Sequence, residues 1–141
     1  MNLMEKNDPK KKFSLRTRLK SFRYAFRGIS TLITYEHNAR IHLFILVFVI
    51  VLGILLRIRE SGWMAILFVS GLVFVSECFN TAVEYLSDLI SDERNEKIKR
   101  AKDVAAAGVL ISAIISVITG LIIFLQGIIS LIKNGSLLPE I

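Results

Sequence analysis

The chain has 141 residues, 53% of them apolar, and carries 18 Lys+Arg against 12 Asp+Glu for a net charge of +6. A mean hydropathy of +0.57 and this much Ile, Leu, Val and Phe exclude a disordered chain. The one cysteine, Cys78, excludes a disulfide scaffold.

Charge and oil are segregated along the chain. Residues 1–12, with KNDPKKK, read as a basic flexible tail. Residues 13–35 predict an amphipathic surface helix: Leu15, Leu19, Phe22, Phe26, Ile29 and Ile33 recur at helical spacing, with Arg16, Arg18, Lys20, Arg23 and Arg27 on other faces. Such a helix beside a membrane span lies in the interface, apolar side down and arginines towards anionic headgroups. Residues 36–132 then predict an all-α domain of three transmembrane helices, at roughly 36–56, 62–90 and 102–132. The charged stretch 91–103 (SDERNEKIKRAKD) reads as the loop between the second and third spans. Residues 133–141 read as a C-terminal tail. No secretory signal is expected, because the first apolar run begins only at Ile41.

Fifteen of the 18 basic residues fall on one side if the N-terminus is cytoplasmic and the C-terminus external. That bias predicts the orientation. It also accounts for the basic composition without a nucleic-acid partner.

The second span carries the candidate chemistry. In ECFNTAVEYLSD, Glu77, Asn80, Glu84 and Asp88 are spaced 3, 4 and 4. They form a stripe less than ~90° wide, with Thr81 at its edge. Even lenient insertion scales charge about 2.5–3.5 kcal/mol for an acidic residue at a helix centre, so these groups must face protein or water. A polar clasp between helices is the lesser alternative, because a clasp needs one or two polar groups rather than four in register. Glu36, which opens the first span, and Lys102-Asp103, which opens the third, are expected at the depth of Glu84. Carboxylates plus a lysine at a membrane boundary suit Mg²⁺ carrying phosphates, with a deeper carboxylate to deprotonate a hydroxyl. An ion site would use similar residues. Cys78 is expected to be packing, His37 and His42 to hydrogen-bond at the interface, and Trp63 and Tyr35 to join an aromatic belt.

The stretch ECFNTAVEYLSDLI…RAKDVAAAGVL closely resembles the prokaryotic diacylglycerol kinase family, small integral-membrane lipid kinases. The pattern Glu-x-x-Asn-[Ser/Thr]-Ala-[Ile/Val]-Glu, an Asp four residues on, and a later Ala-Lys-Asp are all filled in order. GISTLITYEHNAR matches upstream, and the resemblance covers about residues 18–132. It implies a homotrimer in the bacterial cytoplasmic (inner) membrane, with active sites between subunits. It implies that Glu77 is the catalytic base, supported by Asn80. Glu36 and Glu84 would hold the Mg²⁺ bound to ATP, and Tyr24, Glu93, Lys102 and Asp103 would contact the nucleotide. Arg40 would line the lipid site. The sequence departs from the family at Thr17, where an arginine is usual, and at Asn95, where a histidine is usual.

The implied reaction is transfer of the γ-phosphate of ATP to a lipid alcohol in phospholipid or carrier-lipid metabolism. The acceptor is diacylglycerol or undecaprenol, and EHNARIH is similar to the undecaprenol-acting branch. No P-loop or Gly-rich loop is present, so phosphates must be handled by side chains at helix ends. A small proton- or cation-coupled transporter using Glu77 and Glu84 is the alternative. It leaves Glu36 and Lys102-Asp103 unexplained. A non-catalytic assembly subunit is a third reading.

Overall fold

The apolar periodicity of the first described segment folds as one helix, α1 (Leu15–Tyr35), and three further helices follow: α2 (His37–Leu55), α3 (Glu60–Ile90) and α4 (Glu96–Asn134). This computed structural model of the chain describes residues 15–90 and 95–134. The tail expected at 1–12, most of that expected at 133–141, and Glu93 lie outside the described residues.

Helices α2, α3 and α4 are each long and apolar enough to cross a membrane, over His37–Leu55, Glu60–Ile90 and Glu96–Ile129. They are apolar on nearly every face, as spans are and surface helices of soluble proteins are not. Phe44, Phe48, Leu67, Phe68 and Phe79 all point outward, which only lipid or a neighbouring chain can make favourable. The stripe Leu15, Leu19, Phe22, Phe26 and Ile29 on α1 is likewise exposed, whereas Leu32 near its end is buried.

The spans run antiparallel in sequence order. Helices α3 and α4 share the longest interface, α2 meets α3 more sparingly, and α1 touches α2. Lys102 at the start of α4 pairs with Asp88 near the end of α3, while Gly62 at the other end of α3 lies against Ile123.

The turn from α2 to α3 is fixed by backbone geometry. The Arg57 N–H donates to the Ile54 carbonyl at 3.2 Å and the Ile58 N–H to the Gly53 carbonyl at 3.1 Å, the pair of bonds of a Schellman stop. Arg57 occupies its left-handed position, at φ 47°, where glycine is usual. Gly53 is buried because a Cβ there would stand 2.9 Å from the tip of the Trp63 indole. Trp63 therefore packs across the turn as well as lying near the membrane boundary.

The start of α4 corrects the sequence reading. Hydropathy predicts loop through the charged stretch as far as Lys102, yet the helix begins at Glu96. The Asn95 side-chain oxygen accepts the Lys97 N–H at 2.9 Å and its carbonyl accepts the Lys99 N–H at 3.0 Å. Asparagine is among the strongest N-caps, and Glu96 in the first turn suits the helix dipole. Hydropathy marks where oil begins, whereas the helix begins where its cap stands.

Candidate active site

The buried residues of α3 are Ile66, Val69, Val73, Glu77, Asn80, Thr81 and Ser87. They recur at helical spacing, so one face turns inward throughout. At Glu77 that face changes from apolar to polar. Counted from Glu60 at 1.5 Å per residue, Glu77 lies roughly 25 Å along the helix and Glu84 roughly 36 Å. A hydrocarbon layer of about 30 Å starting at Glu60 ends between them.

Glu77 is 1% exposed and is the largest fully buried side chain among the described residues. Its Oε2 has no hydrogen-bond partner, and neither do Asn80 Oδ1 and Thr81 Oγ1. Three buried oxygens in adjacent turns thus lack partners, which native proteins rarely leave so without a function. The Asn80 amide nitrogen donates to Glu84 Oε1 at 3.0 Å. That bond joins the buried trio to the more open groups near the end of α3.

Glu36 reaches this end from another helix. It stands at the N-cap position of α2 with extended backbone (φ −91°, ψ 119°) and makes no side-chain cap bond. A Ser, Thr, Asp or Asn there would satisfy the helix end. Glu36 instead accepts the Tyr85 hydroxyl through Oε1 at 3.1 Å, and so lies beside α3 one residue from Glu84. A local capping rule is given up in favour of a long-range contact, as happens at functional sites.

Lys102 joins from α4, its Nζ 2.8 Å from Asp88 Oδ1. The pair is exposed, Asp88 at 68%, so it orients the ammonium more than it stabilises the fold. Glu36, Glu84, Tyr85, Asp88 and Lys102 thus gather at one end of the three-helix bundle, with Glu77, Asn80 and Thr81 buried just inside.

Other expected site residues are placed less closely. Arg40 follows Glu36 by one turn, its N–H donating to the Glu36 carbonyl at 3.4 Å, and its side chain is exposed. Asp103 and Tyr24 are also exposed, and neither is bonded to the cluster among the described residues. Sequence reasoning assigns no role to Tyr85 or Asp88. Asp88 is signalled by its place in the polar stripe, whereas Tyr85 carries no signal, since its role depends on where Glu36 is folded. Two packing expectations change. Cys78 is exposed, because about 100° of helix rotation from the buried Glu77 turns it outward. His42, expected to hydrogen-bond at the interface, lines a cavity instead.

That cavity, of about 110 Å³, lies between α2, α3 and α4 and is bordered by His42, Leu46, Val69, Val73, Ser116 and Gly120 among others. Val73 is one turn from Glu77 on the same buried face of α3. The cavity therefore opens an apolar space within the bundle on the membrane side of the buried carboxylate.

The donor set fits magnesium. Mg²⁺ is usually held by one or two protein carboxylates and completes its shell with phosphate oxygens and water. Glu36 and Glu84 each have one oxygen fixed by a donor, Tyr85 and Asn80 respectively, which leaves one hard oxygen apiece. No group of three or more His, Cys, Asp or Glu side chains forms an all-protein cage among the described residues.

Comparison with known proteins places the chain in a family. The family model described as prokaryotic diacylglycerol kinase matches residues 23–124. An undecaprenol kinase of Bacillus subtilis (strain 168) is 41% identical over 106 residues, covering 75% of this chain and 86% of that protein. A diacylglycerol kinase of Synechocystis sp. (strain ATCC 27184 / PCC 6803 / Kazusa) is 40% identical over 114 residues, covering 80% of this chain and 65% of that protein. The matched span takes in both the buried trio and the cluster at the helix ends, and the chain belongs to the prokaryotic diacylglycerol kinase family.

Proposed function

We propose that this protein is an ATP- and Mg²⁺-dependent kinase that transfers the γ-phosphate of ATP to the hydroxyl of a membrane lipid alcohol, either diacylglycerol or undecaprenol. The observation that carries the reading is Glu77. It is a fully buried carboxylate with an unpartnered oxygen, set just inside the hydrocarbon boundary below a cluster of charged helix ends. A lipid hydroxyl arrives from the bilayer side and ATP from water, and the reaction needs a base where they meet.

Each residue then has a task. Glu77 accepts the proton of the lipid hydroxyl as its oxygen attacks phosphorus. Asn80 fixes Glu84 through its amide and keeps the base and the metal-binding carboxylate in register. Glu36 and Glu84 hold Mg²⁺, which when bound neutralises charge on the transferring phosphate. Lys102 places its ammonium on the phosphates, exchanging Asp88 for a phosphate oxygen. Asp103, Tyr24 and Glu93 contact the nucleotide, and Arg40 lines the lipid site. The lipid tail runs beside Val73 into the apolar cavity.

The chain sits in the bacterial cytoplasmic membrane with its N-terminus cytoplasmic, and residues 13–35 lie on the membrane surface. It assembles as a homotrimer, which covers apolar faces of the spans. Purified protein in mixed micelles tests the reaction directly. Label from γ-labelled ATP should pass to diacylglycerol, undecaprenol or both, and should stop when EDTA removes Mg²⁺. Transfer to neither lipid overturns the reading; the ratio of rates assigns the acceptor.

A further inference from the structure

Two buried hydroxyls, Thr81 on α3 and Ser112 on α4, behave differently. Ser112, 2% exposed, donates back to its own helix, at 2.9 Å from both the Gly108 and the Val109 carbonyls. This is the usual resort of a mid-helix Ser or Thr. Thr81 is 7% exposed and has no partner at all. A buried hydroxyl without a partner costs free energy, and its own helix offers an acceptor that it does not take.

Thr81 follows Glu77 by four residues and Asn80 by one, so all three line the same inward face. The unpartnered atoms of Glu77 and Asn80 are oxygens, and the Asn80 amide nitrogen is anchored to Glu84 by one of its two N–H groups. The Thr81 hydroxyl is the donor group of the trio that has no partner. An alcohol has one proton to give and two lone pairs to take hydrogen bonds or react. Carboxylate and hydroxyl side by side complement it.

We propose that Thr81 positions the acceptor alcohol, donating its hydroxyl proton in a hydrogen bond to the lipid oxygen that Glu77 deprotonates. The assignment rests on the kinase reading above. With one lone pair held by Thr81, the other is directed at the γ-phosphorus. The O–H bond breaks with its proton passing to Glu77, the new O–P bond forms, and the bond from phosphorus to the ADP oxygen breaks. The Thr81 hydroxyl keeps its own proton throughout.

The test compares Thr81→Val and Thr81→Ser with wild type in the full chain. Initial rates of label transfer are measured while the accepted lipid and ATP are varied separately, alongside thermal unfolding in detergent. Thr81→Val should lower kcat/KM for lipid by roughly tenfold to hundredfold, the scale of a misplaced reactant. It should leave KM for ATP unchanged, and Thr81→Ser should keep most of the activity. Removing an unpartnered buried hydroxyl should also leave the thermal midpoint equal to or above that of wild type. Wild-type kcat/KM for lipid in Thr81→Val overturns the proposal. So does a lowered midpoint that Thr81→Ser restores, since the hydroxyl then bonds within the fold or to a second copy. A Glu77→Gln control separates the two claims. If it is inactive while Thr81→Val is normal, only the Thr81 role falls; if it is fully active, the proposed reaction falls with it.

Discussion

Replacing Glu77 with glutamine removes the proposed base while preserving its shape. A general base contributes about 10²–10⁴-fold to rate, or about 2.7–5.5 kcal/mol of barrier. The structure favours the upper half of that range. Glu77 is closed off from solvent, so bulk water cannot readily take over. Glu84 lies seven residues on, about 10 Å along the helix, beyond the roughly 3 Å reach that proton transfer requires. Folding should be spared. In Glu77→Gln the new amide is a donor that the unpartnered oxygens of Asn80 and Thr81 can accept, and a buried carboxylate disappears. The assay is label transfer at saturating ATP and lipid, with thermal unfolding of the same preparations. The expected result is a kcat lower by about 10³-fold or more, with an unchanged or higher thermal midpoint. A variant retaining a tenth or more of wild-type kcat, or one losing activity only because it unfolds, would refute the reasoning.

Further outcomes follow from other parts of the bundle. Lys102→Met should raise KM for ATP without moving the thermal midpoint, because the pair it breaks with Asp88 is exposed; unchanged nucleotide kinetics would remove Lys102 from the phosphate site. Gly120 borders the cavity and a Cβ there meets only Phe124, at 3.8 Å, so Gly120→Leu should raise KM for lipid but not for ATP. Equal effects on both substrates would separate the cavity from the lipid path. At the α2–α3 turn, Gly53→Ala forces a methyl against Trp63. The clash costs about 1–3 kcal/mol against the ~1 kcal/mol that alanine gains over glycine in a helix, a net loss of up to about 2 kcal/mol. Arg57→Gly relieves the left-handed backbone there and should add about 1 kcal/mol, both changes being read by unfolding in detergent.

Much of the site is legible in the sequence because helices convert spacing directly into shared faces. Glu77, Asn80 and Glu84 lie on one stripe whatever the helix packs against, and the Asn80–Glu84 bond is a contact between residues four apart. The number of spans follows equally from runs of apolar residues matched to the thickness of a bilayer. The start of α4 is not legible in hydropathy. Asn95 reads there only as a departure from a family pattern, whereas in the fold its side chain caps the helix. The exposure of Cys78 is hidden for a different reason: the stripe fixes its angle from Glu77 but not how little of the bundle stands behind it.

By itself the sequence determined the helices, the polar stripe on the second span, and the proximity of its members, since these depend on local geometry of about 1.5 Å and about 100° per residue. Only the tertiary structure decided which helix ends meet. Glu36 and Tyr85 are 49 residues apart and Lys102 and Asp88 are 14 apart, distances that no periodicity relates. The same holds for which polar atoms stay unsatisfied. Ser112 and Thr81 are both small hydroxyl residues within apolar spans, yet one bonds to its own helix and the other does not. Each hydroxyl has carbonyls of its own helix within reach, so spacing along the chain does not tell the two apart.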